Sequence, residues 1–153
     1  MNRLYKNLQD LLEQKIGLYE NFIQLLNEEW KCVTEYSYDG LQDIIAKKND
    51  QVMQIQALEN SRSSLMKKIS ANLKVGQSGL TLRKLIQFKD NPYRINLSKC
   101  RIKLLSKINK INILSAKIKA LMEHSALSLK KSLAFIHSEG EKAYSPYEAN
   151  GQV

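Results

Sequence analysis

The chain is poor in residues that interrupt helices. It holds two prolines and six glycines among 153 residues, most of them outside its periodic stretches, which favours long helices with few breaks. The two cysteines, Cys32 and Cys100, are too few for a disulfide scaffold and suit a reduced compartment. The two histidines, His124 and His137, stand apart from any carboxylate cluster, so neither metal nor other cofactor is expected. There is no glycine-rich phosphate loop, no Cys-x-x-Cys pair and no His-Glu-x-x-His. An active site needs perturbed groups converging in a pocket. None can be assembled from these residues, so the expectation is a binding protein and not an enzyme.

Long apolar runs are missing as well. No stretch approaches the roughly 18 residues needed to cross a bilayer, so no membrane insertion is expected. The opening residues Met1 to Lys6 lead straight into an amphipathic pattern without the apolar core of a secretory signal. The expected location is the cytoplasm. Acidic residues are scarce in one part only. Residues 1–60 carry six Lys/Arg against ten Asp/Glu, whereas residues 61–138 carry seventeen against Asp90 and Glu123 alone. Such asymmetry raises a nucleic-acid or membrane reading. The lysine strip through Lys99, Arg101, Lys103, Lys107, Lys110, Lys117 and Lys119 lacks interleaved aromatics and matches no DNA-reading module. A solvated helix face, partly neutralised by the acidic first half, accounts for it better.

Apolar residues recur in steps of four and three. Leu12, Ile16, Tyr19, Ile23, Leu26, Trp30 and Val33 form one seam, the spacing of a helix face packed on another helix. Leu8, Leu11, Leu18, Phe22 and Leu25 form a second seam beside it. Two seams make a face too wide for a two-stranded coil. The first helix is expected from about Arg3 to Tyr36, roughly 50 Å long. The aromatics Tyr19 and Trp30 on its seam are expected in the core.

A turn at Tyr36 to Gly40 should lead into a second helix capped by Asp39. Leu41, Ile45, Val52, Ile55, Met66, Ile69 and Leu73 lie on its seam, widened by Ile44, Leu58 and Leu65 and interrupted by Lys48, Glu59 and Arg62. The short hinge makes this pair an antiparallel αα-hairpin. A short helix capped by Thr81 follows, then a turn at Asp90-Asn91-Pro92-Tyr93. The last helix is expected over 97–138, with Leu104, Ile108, Ile111, Ile118, Met122 and Leu129 on one seam and Leu114, Leu121 and Phe135 beside it. Serines at 115, 125, 128 and 132 thin that seam, so its end is expected to dock less firmly. The expected fold is all-α: an elongated antiparallel bundle of three long helices with a short connecting helix. Residues 1–138 form one domain and residues 139–153 a flexible tail.

With this pattern in place, the chain resembles the FlgN family of flagellar export chaperones over most of its length. Leu11 to Lys15, Tyr19, Leu25, Leu26 and Glu28-Glu29 resemble the family's first helix. Leu41, Lys47-Lys48, Ile55, Leu58-Glu59 and Arg62 resemble its second, and Thr81 to Leu85 its short middle helix. Asn109-x-x-Asn112 followed by Leu114 resembles the start of its C-terminal recognition region, and Tyr147-x-x-x-Gly151 its tail. The family is more often acidic, and this chain departs from that. The resemblance implies a chaperone that binds the hook-associated proteins of the FlgK and FlgL type. It would keep them from assembling early and escort them to the export gate, with contact to the gate component FlhA.

The residues expected to meet the substrate are Asn109, Asn112, Ile118, Leu121, Phe135, Ile136, Tyr144 and Tyr147. A wide helical face can cover an apolar segment by the helix-in-groove mode. Asn109 and Asn112 fall off the seam and share one face at i, i+3. Two other functions fit the same residues: a basic helical nucleic-acid-binding protein, which strong salt dependence would reveal, and a coiled-coil adaptor, which a stable oligomer would reveal.

Overall fold

The computed structural model describes residues 1–76 and 79–151, with residues 140–151 described by their backbone alone. Four helices follow one another: α1 (Asn2–Thr34), α2 (Tyr38–Asn72), α3 (Leu82–Gln87) and α4 (Arg94–Gly151). The chain divides into two compact units, Met1–Ser115 and Ala116–Val153. The fold is all-α, as the periodicity requires, and no strand occurs among the described residues.

Within the first unit the sequence dictates an up-down-up path. The link between α1 and α2 is three residues, and Tyr36 adopts a left-handed backbone with φ of 55° to turn it. The Ser37 amide donates to the Cys32 carbonyl at 2.9 Å, which closes the turn. Ser37, not Asp39, occupies the cap position of α2, and Asp39 falls in its first turn, where a negative charge is favourable. Gly40 packs closely against the side chains of this corner. A Cβ there would sit 2.8 Å from Ser37 Oγ and 3.0 Å from Cys32 Sγ.

Polar contacts set the register of the helices. The Asn96 amide donates to Gln9 Oε1 at 3.3 Å, and Lys107 pairs with Glu20. Both pairs are separated by 87 residues, so the start of α4 runs parallel to α1 at a constant offset. Two of the three charges that interrupt the α2 seam reach α1. Lys48 Nζ lies 2.7 Å from Glu29 Oε2, and Lys15 Nζ lies 2.7 Å from Glu59 Oε2. Arg62 Nε donates to both oxygens of Glu59 at 3.1 and 3.0 Å. Arg62, and after it Lys15, hold the Glu59 carboxyl down at about 2 against the opposing effect of its burial. A charge placed in a seam is costly in any register that leaves it unpaired, so these pairs select one alignment of the hairpin.

The core gathers at the end where α1 begins. Tyr5, Leu8 and Leu12 of α1 meet Met66 and Ile69 of α2, Leu85 of α3, and Leu97, Cys100 and Leu104 of α4. The connection beneath them is held by its own polar groups. Thr81 Oγ1 caps α3 by accepting from the Lys84 amide at 3.2 Å. Buried Asn91 donates to the Leu85 carbonyl at 3.3 Å and accepts from the Tyr93 amide at 2.9 Å. This lets α4 begin at Arg94, three residues before the position expected.

Three further expectations are corrected. Trp30 is 38% exposed, and its neighbour Glu29 is the buried residue, because Glu29 is the one that faces Lys48. Ile44 is buried, whereas Ile45 and Val52, expected on the α2 seam, are exposed. On α4, Ile108 is exposed and Cys100 takes an inward position.

Candidate functional site

The α4 helix carries one seam along its length. Leu97, Cys100, Leu104, Ile111, Ile118, Leu129 and Ile136 are spaced three, four, seven, seven, eleven and seven residues apart, which keeps them on one side of a 3.6-residue helix. Their exposure changes abruptly. Leu97, Leu104 and Ile118 are 0%, 7% and 4% exposed, but Leu129 and Ile136 are 61% and 64% exposed. Leu127, Leu133 and Phe135 are exposed as well, so this stretch of helix shows apolar side chains on more than one side. Five large apolar residues left in water within ten positions mark a surface that gains from being covered. Between them stand Ser128, Lys130, Lys131 and Ser132, whose polar ends keep the uncovered helix compatible with water.

The structure divides the expected contact residues. Phe135 and Ile136 are exposed, and Leu121 is half-buried. Asn109 and Asn112 are exposed, Asn109 on the side of α4 away from Leu104 and Ile111 and Asn112 on its flank. Ile118 is buried in the free protein. The side chains of Tyr144 and Tyr147 lie outside the described residues. Leu127, Leu129 and Leu133 were missed as contact candidates. Leu129 was already on the seam, and a continued period with nothing to cover it was the signal available.

Burial, with Glu13 adding to it, pushes the Cys100 thiol up, so it stays protonated and unreactive at neutral pH. No group of three or more His, Cys, Asp or Glu among the described residues is placed to hold a metal ion. A hollow of about 200 Å³ lined by Leu12, Lys15, Glu59, Arg62, Leu82, Arg101, Leu104 and Leu105 brings the Glu59 ion pairs to its wall, with no nucleophile beside them. Among the described residues no helix is long and apolar enough to cross a membrane.

A family model described as FlgN protein matches residues 1–153, the whole chain. The chain belongs to the FlgN family. That places it among flagellar export chaperones, and the residues that carried the resemblance now have physical roles. Glu29 and Lys48 form one ion pair of the α1–α2 hairpin, Glu59 forms another with Lys15, and Arg62 pairs with Glu59 within α2. Thr81 is the cap of α3. The FlgN motifs in the first half of the chain therefore build and align the hairpin. No curated protein and no solved structure matches the chain.

Proposed function

We propose that this FlgN-family protein is a cytoplasmic chaperone for hook-associated proteins of the FlgK and FlgL type. It covers an apolar terminal segment of the substrate, prevents its early assembly and delivers it to the export gate, where FlhA is the receiving component. The observation that supports this reading is the α4 seam, whose residues are buried or half-buried through Ile118 and bare at Leu129 and Ile136. Leu121, Phe135 and Ile136 form the apolar part of the proposed contact, with Leu129 and Leu133 added by their exposure. Tyr144 and Tyr147 extend it toward the C-terminus, and Asn109 and Asn112 contribute amides. No bond is made or broken. Capture needs only greater affinity for the unassembled segment, and the several kcal/mol (about 2–5) spent ordering that segment keeps the complex releasable.

The test is binding of a purified hook-associated protein to the full chain and to Leu129→Ser/Ile136→Ser. Each side chain is exposed in the free protein, so urea unfolding should be unchanged. Fully covering an Ile or Leu is worth about 1.5–3 kcal/mol, so the double variant should bind at least tenfold more weakly. Equal affinity of the two proteins would remove this surface from the function.

A further inference from the structure

A second apolar surface lies on the first half of α4, inside the Met1–Ser115 unit. Ile95 and Ile102 are each 62% exposed and Ile113 is 48% exposed. With Ser106 and Asn109 between them they are spaced seven, four, three and four residues. At 100° per residue these five positions form one straight stripe, diametrically opposite the buried Leu97, Cys100 and Leu104. The stripe is about 27 Å long at 1.5 Å per residue. A merely solvated face has no use for three isoleucines at this period.

The flanks of the stripe carry charge of one sign. Arg94 and Arg101 lie along one side, and Lys99, Lys103 and Lys110 along the other. No Asp or Glu occurs between Asp90 and Glu123. Lys107 turns away from this face to Glu20. The combination is an apolar line edged on both sides by cations.

We infer that this outward face of α4 is a docking site for an acidic amphipathic helix. The partner would lay an aliphatic seam along Ile95, Ile102 and Ile113 and set carboxylates against the two basic rows. The serine and asparagine in the stripe leave room for a neighbouring helix to approach and offer it hydrogen bonds. Charge complementarity of this kind speeds encounter and rejects basic helices. Leu105 and Ile108, 49% and 38% exposed, widen the apolar face on the side of Arg94 and Arg101, and its lack of aromatic residues favours one helix over a lipid surface, where interfacial aromatics are the usual anchors. The site is distinct from the Leu129–Ile136 surface and shares only Asn109 with the proposed substrate contact.

The experiment titrates the full chain into fluorescent 20-residue helical peptides. One carries a Leu/Ile seam flanked by Glu, a second the same seam flanked by Lys, and a third Glu flanks around a Ser seam. The Glu-flanked apolar peptide should bind at least tenfold more tightly than either of the others. Ile102→Ser/Ile113→Ser should weaken that binding at least tenfold with an unchanged urea midpoint, while Leu129→Ser/Ile136→Ser leaves it as it was. This last arm separates the site from the substrate surface, because each reading can fail without the other. Equal binding of Glu- and Lys-flanked peptides would overturn the inference. So would indifference to Ile102→Ser/Ile113→Ser, or tighter binding to phosphatidylglycerol vesicles or duplex DNA than to the acidic peptide.

Discussion

Removing the ammonium of Lys48 is the sharpest probe of how the hairpin is aligned. Glu29 keeps only 6% of its side chain exposed, and Lys48 keeps 24%. The Lys48 ammonium also sits 5.7 Å from the centre of the Phe22 ring. Lys48→Met retains most of the apolar stem but leaves the Glu29 carboxylate buried without its cation. Breaking a buried pair in this way costs about 3–5 kcal/mol. Water can reach the Lys48 end, which lowers the expected loss to about 2–4 kcal/mol. For a chain of this size that corresponds to a melting-point drop of about 5–15 °C. The measurement is urea unfolding followed by circular dichroism at neutral pH. Lys47→Met is the control, since Lys47 and its partner Asp43 are 56% and 66% exposed, and loss of such a pair should stay within about 0.5 kcal/mol. Glu29→Gln/Lys48→Met removes both charges and should recover much of the loss, giving a coupling above about 1 kcal/mol. If the two lysine variants unfold alike, or the double-mutant coupling is near zero, the ion pair does not align the hairpin.

Acid provides an independent test of the second pair. Glu59 titrates at about 2 in the folded chain against an ordinary value of 4.5. A lowered carboxyl value stabilises the fold above pH 4.5, and this contribution is lost as pH falls from there toward 2. With 36% of the side chain exposed, screening reduces the contribution to about 1–2 kcal/mol. Glu59→Gln should therefore be less stable than the parent at pH 7 by that amount and should close the gap near pH 2, as read from urea midpoints across the range. A gap that does not change with pH would contradict this assignment. In the core, Ile69 is 0% exposed and Ile45 is 43% exposed. Ile69→Ala should cost about 2–5 kcal/mol and Ile45→Ala less than about 1 kcal/mol. Comparable losses at the two positions would mean that the inner face of α2 has been misassigned.

Local pattern was sufficient for the elements. A three-four apolar period over some thirty residues, with Gly and Pro confined largely to the links, leaves few alternatives to long helices. Thr81 and Pro92 marked the short segment because capping and the missing amide act over one turn. The order of these features along the chain also carried the family, since FlgN motifs read as a sequence of helix positions. Which of two adjacent residues turns inward was not legible. Glu29 and Trp30, like Ile44 and Ile45, are 100° apart on a wide face, and either could border the core. That choice was made by the partner helix, because only the folded hairpin sets Lys48 opposite Glu29.

The seam of α4 shows the same division. Its period from Leu97 to Ile136 is continuous in the amino acids, so the side of the helix that is apolar is a local property. Burial is a property of what stands against that side, and it ends between Ile118 and Leu129 without a change of period. The stripe of Ile95, Ile102 and Ile113 could likewise be counted along the chain, but its direction became known only when Leu97 and Leu104 were found inside. Covalent order sets the angle of each side chain about its own helix axis, and the distant neighbours of that axis settle which angles see water.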